Sequence, residues 1–145
     1  MNNDSISKDF SNYSQQELYE IAADVESYPQ FIPLCKGIRV LERNADHWLV
    51  DNLYGFGPIR VHFRSTATFY PPERIEVVST QHPFKKLHVI WRFIPLPDGG
   101  CRATFEIEEE FRSRVTNNLS QSFQSTIQPN LLSRFETRAR KIYGR

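Results

Sequence analysis

Apolar side chains alternate with polar ones along residues 59–70, and this period of two constrains the fold more than any other feature. Ile59, Val61 and Phe63 begin an apolar series at every second position, whereas the residues between them are mostly charged or polar. Successive side chains of a strand lie on opposite faces, so the pattern predicts a long strand with one buried face. Similar patterns over residues 47–54, 75–79, 87–93 and 101–107 predict a sheet with one apolar face.

The period changes near the end of the sequence, where apolar residues recur every three or four positions. This spacing predicts one long amphipathic helix. Asn117 or Asn118 can cap its start, and Pro129 should kink it, because proline removes a backbone donor. The apolar stripe consists of Leu119, Phe123, Ile127, Leu131, Phe135, Ala139 and Ile142.

The residues of the N-terminal part are predicted to form a short strand and then two short helices. Residues 6–13 favour a first strand. Ser14 and Glu17 fit a capping box, in which each side chain bonds a free backbone N–H of the other residue, so a helix should run from Gln15 to about residue 27. Pro29 and Pro33 then leave room for about one helical turn between them.

Short, turn-rich connections between the later strands indicate an antiparallel meander. The predicted order is one strand, two short helices, six antiparallel strands and a long helix, which is an α+β fold in a single domain spanning residues 1–145. Only the long helix is large enough to cover the apolar face of the sheet. The space between the curved sheet and this helix is the natural place for a cavity.

Composition and spacing exclude several kinds of site. The net charge is +1, and Cys35 and Cys101 are too far apart for a metal-binding pair, so free thiols in a reducing compartment are expected. The four histidines share no metal-ligand spacing, and residues 55–57 begin a phosphate-loop pattern without its third glycine or its helix. No signal peptide or membrane-spanning stretch is seen, so we expect a soluble, cytoplasmic chain.

Two charged features leave alternatives open. By alternation Glu109 falls on the face of Phe105 and Ile107, where a carboxylate could act as a general acid or bind a ligand's polar head. Alternatively, Glu109 reaches water or pairs with Arg114. The basic residues of the C-terminal segment either stabilise the negative end of the helix dipole or attract anionic lipid or RNA phosphates.

Several motifs, in order, resemble those of the coenzyme Q-binding START-like family. This family is also called polyketide cyclase/dehydrase or oligoketide cyclase/lipid transport, and it includes the bacterial ribosome association toxin. The resemblance covers nearly the whole chain. It rests on residues 22–35 (AADVESYPQFIPLC), 83–87 (PFKKL), 91–93 (WRF) and 99–101 (GGC), and on Phe135, Arg138, Ala139, Tyr143 and Gly144.

The resemblance implies a helix-grip fold, similar to that of the Bet v 1 allergens, with a hydrophobic cavity. It implies a ubiquinone-binding lipid chaperone that supports respiration, with no catalytic residues, no metal and no cofactor other than the bound isoprenoid. A bacterial protein in the cytoplasm or peripheral at the inner membrane is expected. The alternatives are a ribosome-associated regulator, with Arg60, Arg64 and Arg92 joining the C-terminal arginines in a basic patch, and an aromatic cyclase using Glu109.

Candidate ligand contacts follow from the apolar faces of the strands and the helix, with core packing as the alternative for each apolar residue. A second group, after the first helix, is expected to form a lid or entrance, whose side chains either plug the sheet or touch a membrane during ligand exchange. Phe31→Asp should then slow lipid transfer more than it lowers the melting temperature. The candidate ligand contacts are Phe63, Ser65, Phe69, Val77, Trp91, Phe93, Phe105, Glu109, Phe123, Ile127 and Leu131, and the candidate entrance residues are Tyr28, Phe31, Ile32 and Leu34.

Overall fold

A computed structural model describes residues 2–112 and 127–145, apart from the side chains of Asn2 and Phe56. Its strands, two α-helices and one 3₁₀-helix follow the predicted order. The elements are β1 (Asn2–Phe10), α1 (Gln15–Ala23), a 3₁₀-helix (Val25–Gln30), β2 (Cys35–Arg43), β3 (His47–Phe56), β4 (Ile59–Tyr70), β5 (Arg74–Ser79), β6 (Phe84–Pro95), β7 (Cys101–Phe111) and α2 (Gln128–Tyr143).

The seven strands form one antiparallel sheet in the order β1-β7-β6-β5-β4-β3-β2. Strands β2 to β7 make the predicted meander, and β1 adds to the edge beside β7. The predicted bounds of the first strand were wrong, because β1 spans Asn2–Phe10 and all nine residues pair with β7. Its first four residues are polar and show no alternation, so an edge strand that gains its stability from backbone pairing was missed.

Strand β4 shows why one face of the sheet is apolar. Val61, Phe63, Ser65 and Ala67 are buried, whereas the residues between them are exposed or half-buried. The alternation seen in the sequence therefore corresponds to the two faces of the strand. The inward face is the one that meets α2.

The capping box at the start of α1 is formed as predicted. The Glu17 N–H donates to Ser14 Oγ at 3.2 Å, and the Ser14 N–H donates to Glu17 Oε1 at 3.0 Å. The predicted helix end was wrong, because α1 stops at Ala23 and Asp24 turns the chain into a 3₁₀-helix that contains Pro29. Asp24 stabilises this turn by accepting a hydrogen bond from the Ser27 hydroxyl at 2.6 Å.

Helix α2 packs on the inner face of the sheet through Phe135, which is completely buried. Its ring contacts those of Trp91 and Phe93 on β6 and Phe10 on β1, with centroids 5.2, 6.4 and 6.0 Å away. The fold is thus a curved antiparallel sheet gripping a C-terminal helix, as predicted. Pro129 lies in the first turn of α2 as described, so the kink stays a prediction, and Asn117, Asn118, Leu119 and Phe123 lie outside the described residues.

Candidate ligand-binding cavity

A cavity of about 130 Å³ lies between the inner face of the sheet and the helices. Its wall draws residues from six strands, β2 to β7, from the 3₁₀-helix and the turn after it, and from the start of α2. Nearly all of these side chains are apolar. An apolar cavity of similar volume, roughly 150 Å³, binds benzene, so this one has room for a ring-sized group.

The structure brings most of the candidate ligand contacts to this wall. They come from strands distant in sequence, which the meander places side by side. Whether they touch a ligand stays a prediction. Those on the wall are Phe63, Ser65, Val77, Trp91, Phe105, Glu109, Ile127 and Leu131.

Two candidate ligand contacts do not line the cavity. Phe93 is buried by Trp91, Phe135 and Tyr19, because it lies where the sheet meets α2 and α1. Phe69 lies near the end of β4 and packs on Trp48, with ring centroids 4.8 Å apart. Alternation identified the correct face for both residues but not their position along the strand. Phe123 lies outside the described residues.

The predicted entrance residues are not displayed on the surface. Tyr28, Phe31 and Ile32 are 9%, 5% and 6% exposed, and Leu34 is half-buried in the left-handed region with φ 67°. Tyr28 and Ile32 line the cavity, whereas Phe31 packs between Tyr28 and Phe135. The turn folds Tyr28, Phe31 and Ile32 inward onto α2 and the sheet, which fits the alternative in which they plug the sheet. Their role in ligand exchange stays a prediction.

Strand β3 supplies the wall residues that were hardest to predict. Leu49 and Leu53 made its facing ambiguous in the sequence, and the structure turns Val50, Asn52 and Tyr54 inward. Their register partners on β4 are Ser65, Phe63 and Val61. The wall residues that were not candidates are Val25, Ile38, Val50, Asn52, Tyr54, Val61, Ala67, Phe84, Leu87, Val89, Ile107 and Phe111.

Three buried polar side chains interrupt the apolar wall. Asn52 and Ser65 lie together on β3 and β4, and the Asn52 amide donates to Ser65 Oγ at 2.9 Å. Glu109 lies on β7 and is 3% exposed, so its carboxylate does not reach bulk water. Strand β7 is three positions from β4, or roughly 14 Å measured along the sheet. The polar groups therefore occupy two separate parts of the wall.

Tyrosines on the wall are held neutral by their surroundings. The Tyr28 hydroxyl donates to the Ala22 carbonyl at 2.5 Å, and burial raises the pKa of Tyr28 well above its usual range. Burial likewise raises the pKa of Tyr54, which is hydrogen-bonded to Cys35. Burial also raises the pKa of the Cys35 thiol to about 11. These groups can offer hydrogen bonds at neutral pH but no charge.

Neither a metal-binding cluster nor a membrane-spanning helix is found in the residues that the structure describes. In residues 2–112 and 127–145, no three His, Cys, Asp or Glu side chains are grouped to hold a metal ion. His62 lies on the outer face, where it pairs with Asp51 at 2.8 Å. Within the same ranges, no helix has the length and apolar character needed to cross a bilayer.

The outer arginines are partly neutralised by neighbouring acids. Arg92 pairs with Glu106 at 2.5 Å, and Arg145 pairs with Glu17 at 2.5 Å. Arg134 and Lys141 on α2 are exposed to solvent. The pairing of Arg92 therefore weakens the predicted basic patch at one of its positions on the sheet.

A family model described as polyketide cyclase/dehydrase and lipid transport matches residues 11–136. The chain belongs to this family. The match extends from the end of β1 into α2, so it includes every element that forms the described cavity wall. The resemblance inferred from the sequence motifs is confirmed.

Relatives in the family carry two kinds of name. Ribosome association toxin RatA from Vibrio cholerae is 27% identical, and the aligned region covers 92% of each chain. The persistence and stress-resistance toxin PasT from Escherichia coli is 29% identical over 91% of this chain and 84% of its own length. Coenzyme Q-binding protein COQ10 homolog B from Xenopus laevis is 28% identical over 92% of this chain, which spans 56% of that protein.

Solved structures share the fold. An 18 kDa protein from Caulobacter crescentus superposes with a TM-score of 0.80 at 27% identity, covering the whole of both chains. An aromatase/cyclase from Streptomyces superposes with a TM-score of 0.77 at 13% identity, covering 97% of this chain and 95% of its own. The second likeness shows the fold alone.

Proposed function

We propose that this protein binds a hydrophobic isoprenoid, most simply ubiquinone, in the cavity and carries it as a lipid chaperone without catalysing a reaction. The observation that supports this most is the wall itself, because its described residues are nearly all apolar. Burying apolar ligand surface contributes about 0.8 kcal/mol per CH₂-sized group, so two isoprene units supply several kcal/mol. The relatives named for coenzyme Q binding support the same choice of ligand.

The volume of the cavity limits how much of the ligand it can hold. About 130 Å³ matches one ring, so a ring with an isoprenoid tail requires the wall to move apart or the tail to leave the cavity. Tyr28 and Ile32 belong to a 3₁₀-helix and a turn rather than to the paired sheet. We place the required movement there, with a transient contact at a membrane surface during exchange.

The absence of catalysis is also part of the proposal. Glu109 is the one carboxylate on the described wall, and the tyrosines there stay neutral at physiological pH. Acid–base catalysis is efficient when the pKa of the reacting side chain lies near the operating pH, and burial raises the pKa of Tyr28 and Tyr54 far above it.

Binding can be tested by the fluorescence of Trp91, which lies on the wall. A Trp48→Phe background leaves Trp91 as the only tryptophan, and a short-tailed ubiquinone should quench it with saturation. Val77→Phe should weaken binding by filling the cavity. Val78→Phe is the matched control, since Val78 is 44% exposed on the opposite face of the same strand. Linear, unsaturable quenching in all three proteins would overturn the proposal.

The chaperone role needs a separate experiment in cells. The protein is purified from its host and its co-extracted lipids are identified by mass spectrometry, with quinones expected. Deleting the gene should impair respiration, and added quinone should restore it. Unchanged respiration in the deletion strain would contradict the chaperone role but not the binding.

Association with the ribosome is the second candidate, favoured by relatives named ribosome association toxin that match over nearly their full length. Exposed cations on α2, including Arg134 and Lys141, would contact RNA phosphates. Co-sedimentation with large ribosomal subunits should then fall steeply as salt is raised. Arg134→Glu with Lys141→Glu should abolish it, while Lys85→Glu on β6 should not. Salt-insensitive or absent co-sedimentation would remove this candidate.

A further inference from the structure

Asn52 and Ser65 form a polar pair inside the apolar wall. The two side chains are 8% and 3% exposed, and both line the cavity. They lie on adjacent strands, with Asn52 opposite Phe63 and Ser65 opposite Val50 in the β3–β4 register. Buried polar groups are costly unless they are hydrogen-bonded, so the bonds available to this pair decide which ligands it tolerates.

The orientation of the Asn52 amide follows from its neighbours. Its Nδ2 donates to the carbonyls of Phe63 and Val50 at 3.1 and 3.3 Å and to Ser65 Oγ at 2.9 Å. The reversed amide would place an oxygen against two carbonyl oxygens, so the donors must face the strands. The Asn52 Oδ1 is therefore the group left for the cavity, and no described residue donates to it.

Ser65 complements this acceptor with a donor. Its oxygen accepts from Asn52, which leaves its own proton available, and no residue in the described ranges accepts it. A hydroxyl has one proton and two lone pairs, so this arrangement is within its bonding capacity. The pair thus presents one acceptor and one donor side by side.

We infer that the Asn52–Ser65 pair is a ligand subsite that favours a ring bearing a hydroxyl over the same ring bearing a carbonyl, that is, a quinol over a quinone. A ring hydroxyl donates to Asn52 Oδ1 and accepts from the Ser65 hydroxyl. A ring carbonyl can only accept, so Asn52 Oδ1 would be buried without a partner. The inference rests on the proposed quinone-type ligand and adds a preference for its reduced form.

Glu109 does not reproduce this subsite. It lies on β7, three strands along the sheet from Ser65, and the subsite is defined by β3 and β4 alone. A ligand ring can therefore meet the Asn52–Ser65 pair without Glu109. The preference should therefore depend on Asn52 and not on Glu109.

The deciding experiment is anaerobic calorimetric titration with a short-tailed ubiquinone and its matching hydroquinone. We expect the hydroquinone to bind about tenfold more tightly. Equal affinities, or tighter binding of the quinone, would overturn the inference and leave the proposed function standing. Failure of both forms to bind would overturn the proposed function and the inference with it.

Substitutions separate the two halves of the subsite. Asn52→Leu should abolish the preference, because it removes the acceptor that the hydroquinone bonds and that the quinone leaves unpaired. Ser65→Ala should weaken both forms severalfold and preserve the preference. Ser79→Ala is the control, since Ser79 is buried but bonds the Arg64 carbonyl away from the wall. A preference that survives Asn52→Leu would overturn the inference, and the comparison of the two ligands on the unchanged protein stands even if that variant does not fold.

Discussion

Individual aromatic residues after α1 hold that part of the chain against the body of the molecule. Tyr28 bonds Ala22 through its hydroxyl and is also hydrogen-bonded to Trp91 on β6. Phe31 packs edge-on against Tyr28 at 5.6 Å and against Phe135 at 6.3 Å, and Arg138 lies over its ring. These aromatic side chains therefore both stabilise the turn and shape the cavity.

Substituting Phe31 tests whether it serves packing or exchange. Because Phe31 is 5% exposed, we expect Phe31→Ala to lower the free energy of unfolding by about 3–4 kcal/mol. Phe31→Asp should cost more, by burying a charge. Burial therefore favours a large loss of stability, whereas the sequence predicted that Phe31→Asp slows transfer more than it lowers the melting temperature. Urea unfolding measures the change in the free energy of unfolding. A loss below 1 kcal/mol for Phe31→Ala would show that Phe31 serves ligand exchange rather than packing.

Elements are tied together at a few places in the described structure. Gln15 at the start of α1 donates to the Phe93 carbonyl on β6 at 2.8 Å, and the Tyr143 hydroxyl at the end of α2 donates to the Glu17 carbonyl at 2.9 Å. Helix α1 is thus linked to both the sheet and α2. Its first turn, where the capping box lies, is part of this junction.

Removing the cap of α1 should have a measurable cost. Ser14→Ala leaves the Glu17 N–H without its side-chain acceptor, and we expect the free energy of unfolding to fall by about 1 kcal/mol. Ser11→Ala in the preceding exposed turn is the control and should change stability little. Thermal unfolding of the two variants compares them, and equal melting temperatures would show that the box contributes nothing.

The packing of α2 on the sheet depends on Phe135. Phe135→Ala removes a fully buried ring from contact with Trp91 and Phe93, so we expect a loss of about 3–5 kcal/mol. Ile142→Ala on the same helix is the matched control, because Ile142 is 47% exposed. Chemical denaturation gives both values. Similar losses for the two variants would mean that α2 is not held to the sheet through this ring.

Across the whole molecule, buried thiols and phenols couple stability to alkaline pH. Burial raises the pKa of Cys35 and Cys101 from 9.0 to about 11, and it raises the pKa of Tyr28 and Tyr54 above the usual tyrosine range. Between those values the unfolded chain loses protons that the folded chain keeps. The stabilisation is complete below pH 9 and is lost as the pH rises towards 11.

This loss can be measured by urea unfolding at pH 8 and pH 10.5. We expect the free energy of unfolding to fall by up to about 2 kcal/mol per thiol, in addition to the effect of the tyrosines. A variant carrying Cys35→Ala and Cys101→Ala should show a smaller fall than the unchanged protein. The thiol contribution is disproved if the two proteins lose stability equally.

Sequence patterns were sufficient to predict the elements that depend on contacts within the element or on one buried face. Each of these patterns reflects a contact within one element or a single buried face. They are the alternation in β4, the capping box of α1 and the apolar spacing on α2. Strand β1 and the end of α1 were not predictable in this way, because one depends on pairing with β7 and the other on the bonds of Asp24 within a turn.

The sequence by itself determined the order of the elements, the apolar face of the sheet and the family. Only the tertiary structure decided which residues on that face line a cavity and which fill the core. Phe93 and Trp91 share one face of β6, yet only Trp91 reaches the cavity, because α1 and α2 cover Phe93. Asn52 became a wall residue only when pairing with β4 turned its side of β3 inward. Periodicity specifies a face, whereas position within that face is set by what packs against it.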